Sequence, residues 1–334
     1  MVGKMSVAEL TEESFLKANR ISQEEWQASS IDWQTLHQIG LNHEANIEQL
    51  KETAEMYARI IQRCQQVHSV RWRVKDPQHL MEKIVRKTQP NTPTFKEKYV
   101  GINETNYDSI VTDLIGVRAL HLFKEDCLPI HDYLCQEWKN AEAPIYYVRS
   151  GDDKVFADLP DDVVVKVHPA GYRSLHYVFG SQPLSRIVYT EVQVRTIFEE
   201  GWTEIDHKIR YPNFSHNEQV CSFLLIFNRL AGSADEMGSF VKQLVGELEL
   251  HQNAIDEITQ KSEENAQEVA NLFKLLEQNE SKQQGSQELI DKLREQVEQL
   301  QAEKKALHRA AKQHAINTLS LNAKAKCKAS ELIK

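Results

Sequence analysis

From Asn46 onward apolar residues recur at Ile47, Leu50, Ala54, Tyr57, Ile60, Ile61 and Cys64. These three- and four-residue steps lie on one helical face and predict an amphipathic helix of about five turns. Upstream, residues 1–45 show weaker helical periodicity, broken around Ser29 and Ser30, with Trp26 and Trp33 available to pack against the domain that follows. Downstream the period shortens. In VRWRVKDPQHLMEKIVRK, Arg73 and Lys75 stand two apart on an extended segment and share a face, while Asp76 and Pro77 suit a helix start. Lys83, Arg86 and Lys87 then form a cationic edge, expected near the N-terminal half of that helix. Residues 88–106, rich in Pro, Thr and Asn, read as a loop or lid. VTDLIGVRALHLF resumes as a strand with Asp113 at its mouth and Gly116 in a turn. A helix over residues 126–138 and strands over 145–149 and 163–167 come next.

The densest patterning lies in residues 171–211. Residues 173–179 and 187–194 read as strands rich in β-branched and aromatic residues, and 196–209 as a helix. Along the second strand Val188, Thr190, Val192 and Val194 point one way, and Tyr189, Glu191, Gln193 and Arg195 the other. One face suits a core and the other suits chemistry. Gly171 supplies a turn that sets Tyr172 and His176 at the rim of the same sheet as Glu191. An aromatic ring, a histidine and a carboxylate around one pocket suit a nucleotide.

Residues 221–230 are apolar enough for a buried helix that closes the domain. Beyond them Val241, Leu244, Leu248, Ile255, Ile258, Val269, Leu272 and Leu276 follow a heptad register with His251, Ser262 and Asn265 as polar interruptions. NESKQQGSQ, residues 279–287, breaks the register, and Ile290, Leu293, Val297, Leu300 and Leu307 resume it around Lys304. Such helices pair either within the chain or between copies of it, and the second case makes a homo-oligomer.

Composition changes the picture in two ways. The net charge is −9, yet residues 59–98 hold ten Lys or Arg against three acidic residues. A basic island in an acidic chain points to a polyanion, either a nucleotide's phosphates or a nucleic acid. Five cysteines, at 64, 127, 135, 221 and 327, show no zinc spacing, and the N-terminus has no apolar signal segment. No window approaches the roughly 20 apolar residues of a membrane span. These features exclude a disulfide scaffold and a spanning protein, and lead us to expect a cytoplasmic chain with no membrane partner.

A carboxylate at a strand end, as at Asp113, is a common magnesium ligand and also a common cap. His131-Asp132 resembles half of a hydrolase metal motif whose other members are not evident.

Four ordered stretches, RVKDPQHLMEK, DLIGVR, GYRSLHYVF and EVQVRTIFEEGWTEIDHKIRY, resemble the RelA/SpoT-like alarmone synthetases across roughly residues 56–211. The resemblance implies an α/β, or α+β, fold: a mixed-sheet, nucleotidyltransferase-like synthetase domain flanked by helices, here followed by a long helical coiled-coil region. It also implies transfer of pyrophosphate from ATP to the 3′-hydroxyl of GDP or GTP, with Mg²⁺ as cofactor. Carried over residue by residue, Arg73 and Arg118 match the pair that sandwiches adenine. Lys75, Lys83 and Arg86 match the triphosphate ligands, and Asp113 the magnesium ligand. Tyr172 matches the ring stacked on the acceptor base, with Arg173, His176 and His168 toward its phosphates. Glu191 matches the acidic residue that binds metal or takes the proton from the attacking hydroxyl, and Gln193 and Arg195 support its strand face.

Two positions depart from the family pattern. His79 stands where a serine is usual, and His168 where many members carry a lysine for the acceptor. The acceptor therefore stays open between GDP or GTP, an adenosine nucleotide and the 3′ end of tRNA, the last being the substrate of toxin-type relatives. A non-catalytic nucleotide-sensing coiled-coil adaptor is the remaining alternative, which the presence of both carboxylates disfavours. No hydrolase-like region is recognisable. The expected division is an N-terminal helical segment (1–45), a synthetase domain (46–235), a coiled-coil region (236–318) and a basic tail (319–334).

Overall fold

The computed structural model describes residues 6–150, 160–168, 171–183, 186–209 and 217–280, with 291, 294–299, 302 and 306 beyond them. The heptad break at 279–287, most of the register that resumes after it, and the tail at 319–334 fall largely outside the described residues. The chain divides into two compact units, residues 1–241 and 242–334.

The helices are α1 (Glu12–Asn19), α2 (Gln23–Ala28), α3 (Trp33–Ala45), α4 (Ile47–Ile61), α5 (Pro77–Thr88), α6 (Tyr107–Ile110), α7 (Cys127–Glu137), α8 (Ile197–Ile209) and α9 (Glu218–Glu280). The strands are β1 (Ser69–Val74), β2 (Ile115–His121), β3 (Ile145–Val148), β4 (Val164–Val167), β5 (Ser174–Ser181) and β6 (Val188–Thr196). Local chemistry accounts for the helix starts. Thr11 with Ser14, and Ser22 with Glu25, close capping boxes on α1 and α2. Asp76 caps α5 by accepting from the backbone N–H of Gln78 and His79, with Pro77 in the first turn.

The strands form one mixed sheet in the order β1-β2-β6-β5-β3-β4. β2 runs parallel to β6 and β3 parallel to β4, while the other neighbours are antiparallel. Alternation makes one face apolar. Ile115, Val117 and Ala119 of β2, Leu175, Tyr177 and Phe179 of β5, and Val192 and Val194 of β6 pack against Leu50, Ala54, Tyr57 and Ile61 of α4 and Ile130 and Leu134 of α7. Fully burying each of the larger aliphatic or aromatic side chains among them is worth about 1.5–3 kcal/mol. A second core joins the N-terminal helices to α5, with Phe15, Leu16, Leu36 and Ile39 meeting Leu80, Met81, Ile84 and Val85. Thus the weakly periodic N-terminus holds the helix that carries Lys83. His43 of α3 reaches further, its Nε2 lying 2.7 Å from the carbonyl oxygen of Lys75.

Several expectations need correction. α4 has 15 residues, which is about four turns. Gly116 lies inside β2 rather than in a turn. Lys83, Arg86 and Lys87 fall in the second half of α5. The apolar run at 221–230 is mostly exposed: Leu224 is buried, but Phe223, Leu225, Ile226, Phe227 and Leu230 are not. Continuous hydrophobicity there conceals the single stripe that faces the domain. No helix among the described residues is long and apolar enough to cross a membrane.

Candidate active site

The polar face of the sheet assembles the site by register. Arg71 of β1 pairs with Arg118 of β2, and Arg118 pairs with Gln193 of β6, which pairs with His176 of β5. One step along, Arg73 pairs with Gly116, and Gly116 with Glu191. Directly opposed residues in a sheet lie about 4.5–5.5 Å apart, so these two rows bring together side chains from four strands. Gly116 puts no side chain between Arg73 and Glu191. A cleft lined by Arg71, Arg73, Gly116 and Arg118, among others, opens there.

At the β2 mouth, Asp113 is held between two lysines. Lys75 Nζ lies 2.9 Å from its Oδ2, and Lys83 Nζ 2.7 Å from its Oδ1. Burial works to raise the Asp113 carboxyl, but the Lys75 and Lys83 charges outweigh it and hold the group below its ordinary range. Burial also pushes Lys83 down despite its pairing with Asp113. Arg86 is exposed one turn on and pairs with Glu82 at 3.2 Å. His79 is exposed and stands one turn before Lys83 on α5.

Glu191 occupies the middle of the face. His176 Nδ1 lies 3.4 Å from its Oε1, and Gln193 Nε2 donates to its Oε2 at 2.8 Å. Burial would raise this carboxyl, yet the His176 hydrogen bond and charge bring it below its usual value. The Asp113 charge acts against that lowering. Both groups offer carboxylate oxygens on the same face of the sheet, the donor type that a hard divalent cation takes. By donor chemistry, Asp113 and Glu191 are the residues of this face that could hold magnesium.

At the β5 end four rings cluster. Tyr172 Oη lies 2.8 Å from His176 Nε2. His168 lies 5.3 Å from Tyr172, and Tyr147 lies 4.9 Å from His176, between centroids. Arg195 lies over the Tyr172 ring, 5.0 Å from its centroid. Burial pushes the Tyr172 hydroxyl up to about 12, so it stays protonated. The turn feeding this ring rests on Gly171, at φ +71°, where an added Cβ would come within 2.9 Å of Asn228 Oδ1.

The structure thus brings Arg73, Lys75, Lys83, Asp113, Arg118, His168, Tyr172, His176, Glu191, Gln193 and Arg195 to one side of the sheet, with Arg86 at its margin. Arg173 is the correction. It is buried, donating from Nε to Glu199 at 2.7 Å and pairing with Asp235 at 3.4 Å, so it packs α8 and α9 rather than joining the Tyr172 rings. His131 also departs from its motif. Its Nδ1 meets the Tyr177 hydroxyl at 2.9 Å on the apolar side of the sheet, and its Nε2 faces Cys135 and Asp162 at 3.8 Å rather than Asp132. Sequence reasoning missed Tyr147, Arg71, Glu200 and Glu204. Tyr147 had a signal in the alternation of its strand, whereas Glu200 looked like an ordinary first-turn helix acid and Glu204 like an ordinary acid further along α8.

Residues 72–216 match the family described as the region found in RelA / SpoT proteins. Residues 225–306 match the death domain family, a span whose described part through Glu280 is one uninterrupted helix. Curated proteins yield no match. Among solved structures, the chain is similar to a GTP pyrophosphokinase family protein from Streptococcus pneumoniae, at 17% identity and TM-score 0.45 over 61% of this chain and 95% of that one. It is similar also to small alarmone synthetase 1 from Bacillus subtilis, at 21% identity and TM-score 0.42 over 62% and 95%. The same Bacillus subtilis protein bound to its product pppGpp gives 21% identity and TM-score 0.40 over 61% and 95%.

Proposed function

We propose that this chain, which carries the region found in RelA / SpoT proteins at residues 72–216, transfers pyrophosphate from ATP to the 3′-hydroxyl of GDP or GTP. The observation that carries this reading is the single sheet face on which a cationic end and an aromatic end flank two carboxylates. Arg73 and Arg118 offer guanidinium planes to a base at the cationic end. Lys75 and Lys83, now shared with Asp113, are placed to exchange that carboxylate for the ATP phosphates. Tyr172 offers a stacking surface to the acceptor base, with His168 and His176 beside it. Glu191, ionised at neutral pH, takes the proton as the acceptor 3′-oxygen bonds to the β-phosphorus of ATP and the bond to AMP breaks. Transfer of this type relies on positioning and on neutralising charge. A magnesium ion held by Asp113 and Glu191 supplies part of that neutralisation when bound. The reaction belongs to the cytoplasm, where ATP and guanosine nucleotides are abundant.

Purified protein given β-labelled ATP and, separately, GDP, GTP, AMP and deacylated tRNA should label GDP or GTP and release AMP. Label on a tRNA 3′ end or on AMP alone would overturn the acceptor while retaining the chemistry. Nucleotide binding without any transfer would leave the sensing adaptor as the reading.

A further inference from the structure

Glu200, in the first turn of α8, is 5% exposed and sits among three guanidinium groups. Its Oε1 accepts from Arg118 Nη1 at 2.8 Å and from Arg71 Nη1 at 3.0 Å. Its Oε2 lies 3.4 Å from Arg195 Nη1. Arg118 lines the cleft at the β1–β2 end, and Arg195 lies over the Tyr172 ring at the β5 end. A single buried carboxylate therefore joins the two ends of the site. Glu204, one turn further along α8, accepts from the same Arg118 nitrogen but has a side chain 33% exposed.

The geometry of a guanidinium explains what such a joint does. All its N–H donors lie in the plane of the group, so carboxylates that grip it by the edge leave both faces free for stacking. Glu200 grips Arg118 in this way and fixes the orientation of the plane offered to a base. Its other oxygen draws Arg195, whose face meets Tyr172, by charge across 3.4 Å without a hydrogen bond. Gln193 holds Arg195 from the strand side and donates to Glu191, so the chain of contacts continues to the proposed base. The charges of Glu200 and Glu204 more than offset the effect of burial on Arg118 and raise its affinity for its proton.

We propose that Glu200 is a positioning residue shared by the donor and acceptor subsites, orienting Arg118 for one nucleotide and the Arg195–Tyr172 pair for the other. The proposal rests on the functional reading above for which nucleotide occupies which end. Glu204, which reaches Arg118 alone, acts on the donor side only.

The test measures equilibrium binding of a non-hydrolysable ATP analogue and of GDP separately, with steady-state constants alongside, for the wild type, Glu200→Gln and Glu204→Gln. Glutamine keeps the shape and removes the charge. Charged hydrogen bonds of this kind translate to about a tenfold effect or more. Glu200→Gln should therefore weaken both nucleotides by about tenfold, with a smaller fall in kcat, and Glu204→Gln should weaken the ATP analogue alone. Glu200→Asp, which restores the charge, should recover part of both affinities, which a purely structural role would not require. Should Glu200→Gln fail to fold, Glu200→Asp and Glu204→Gln carry the comparison, read by the acceptor affinity that only the former can alter. Loss of one nucleotide only in Glu200→Gln, or of neither, overturns the shared role. If wild type binds both nucleotides but transfers nothing, the functional reading falls while the binding measurement still decides this one.

Discussion

Asp113 sits between Lys75 and Lys83, an arrangement that stabilises the free protein and, in the proposed reaction, would release two cations to the ATP phosphates. Its folded carboxyl is more acidic than the unfolded one. The pairing therefore contributes stability fully present above the unfolded value of about 4 and lost as pH falls through the lower folded value. Asp113→Asn should be less stable than the wild type by about 1–3 kcal/mol at neutral pH in urea denaturation. That gap should close as the pH is taken below about 4; a gap of constant size at both pH values would contradict the pairing. Glu191 carries the opposite kind of role, with both oxygens engaged by His176 and Gln193. Glu191→Gln keeps the shape and removes the base, and should lower pyrophosphate transfer by about a hundredfold or more, with the ATP analogue still bound. Near-normal turnover would remove Glu191 from the chemistry.

At the scale of elements, the turn before β5 is the least forgiving piece of the acceptor side. Gly171 has a left-handed φ of +71°. Asn228 of α9 donates to its carbonyl oxygen at 3.1 Å, and the space for a side chain is closed by the same asparagine. Gly171→Ala should cost about 1–2 kcal/mol from conformation alone, and more from the contact with Asn228. Because the turn carries Tyr172 and not the lysines, the KM for the acceptor should rise severalfold while that for ATP changes little. Equal effects on both substrates would show that the turn supports the whole sheet rather than the ring.

At the scale of the molecule, residues 1–241 contain both apolar cores and every residue of the site. The first part of α9 belongs to that unit. Trp202 Nε1 donates to the Leu224 carbonyl at 3.0 Å, and Asp235 pairs with Arg173 at 3.4 Å. A chain ending at residue 241 should melt cooperatively near the wild-type temperature, whereas one ending at residue 217 should be destabilised by several kcal/mol, since Arg173 loses a buried partner. Failure of the longer fragment to fold would contradict the division. Light scattering on that fragment also tests the heptad reading, since a pairing between chains that runs through residues after 241 predicts a lower mass.

Much of the site was legible in the chain because strand alternation is local. Once residues 187–194 read as a strand, Glu191, Gln193 and Arg195 had to share a face, and the motif spacing put Lys75, Asp113 and Arg118 at strand ends or on strands. Period alone also gave α4 and α8 and the apolar side of β6. What the sequence could not determine depends on contacts between residues far apart in the chain. Arg173 and Tyr172 are adjacent, yet one turns into a buried pair with Glu199 and Asp235 while the other joins the rings. Nothing local distinguishes them, because the partners of Arg173 lie 26 and 62 residues away. Glu200 shows the same limit, since its partners Arg71 and Arg118 stand 129 and 82 residues before it. A glutamate in the first turn of a helix is favoured by the helix dipole whatever surrounds it. Only the packing of α8 beside β1, β2 and β6 turns that ordinary residue into the joint between the two ends of the site.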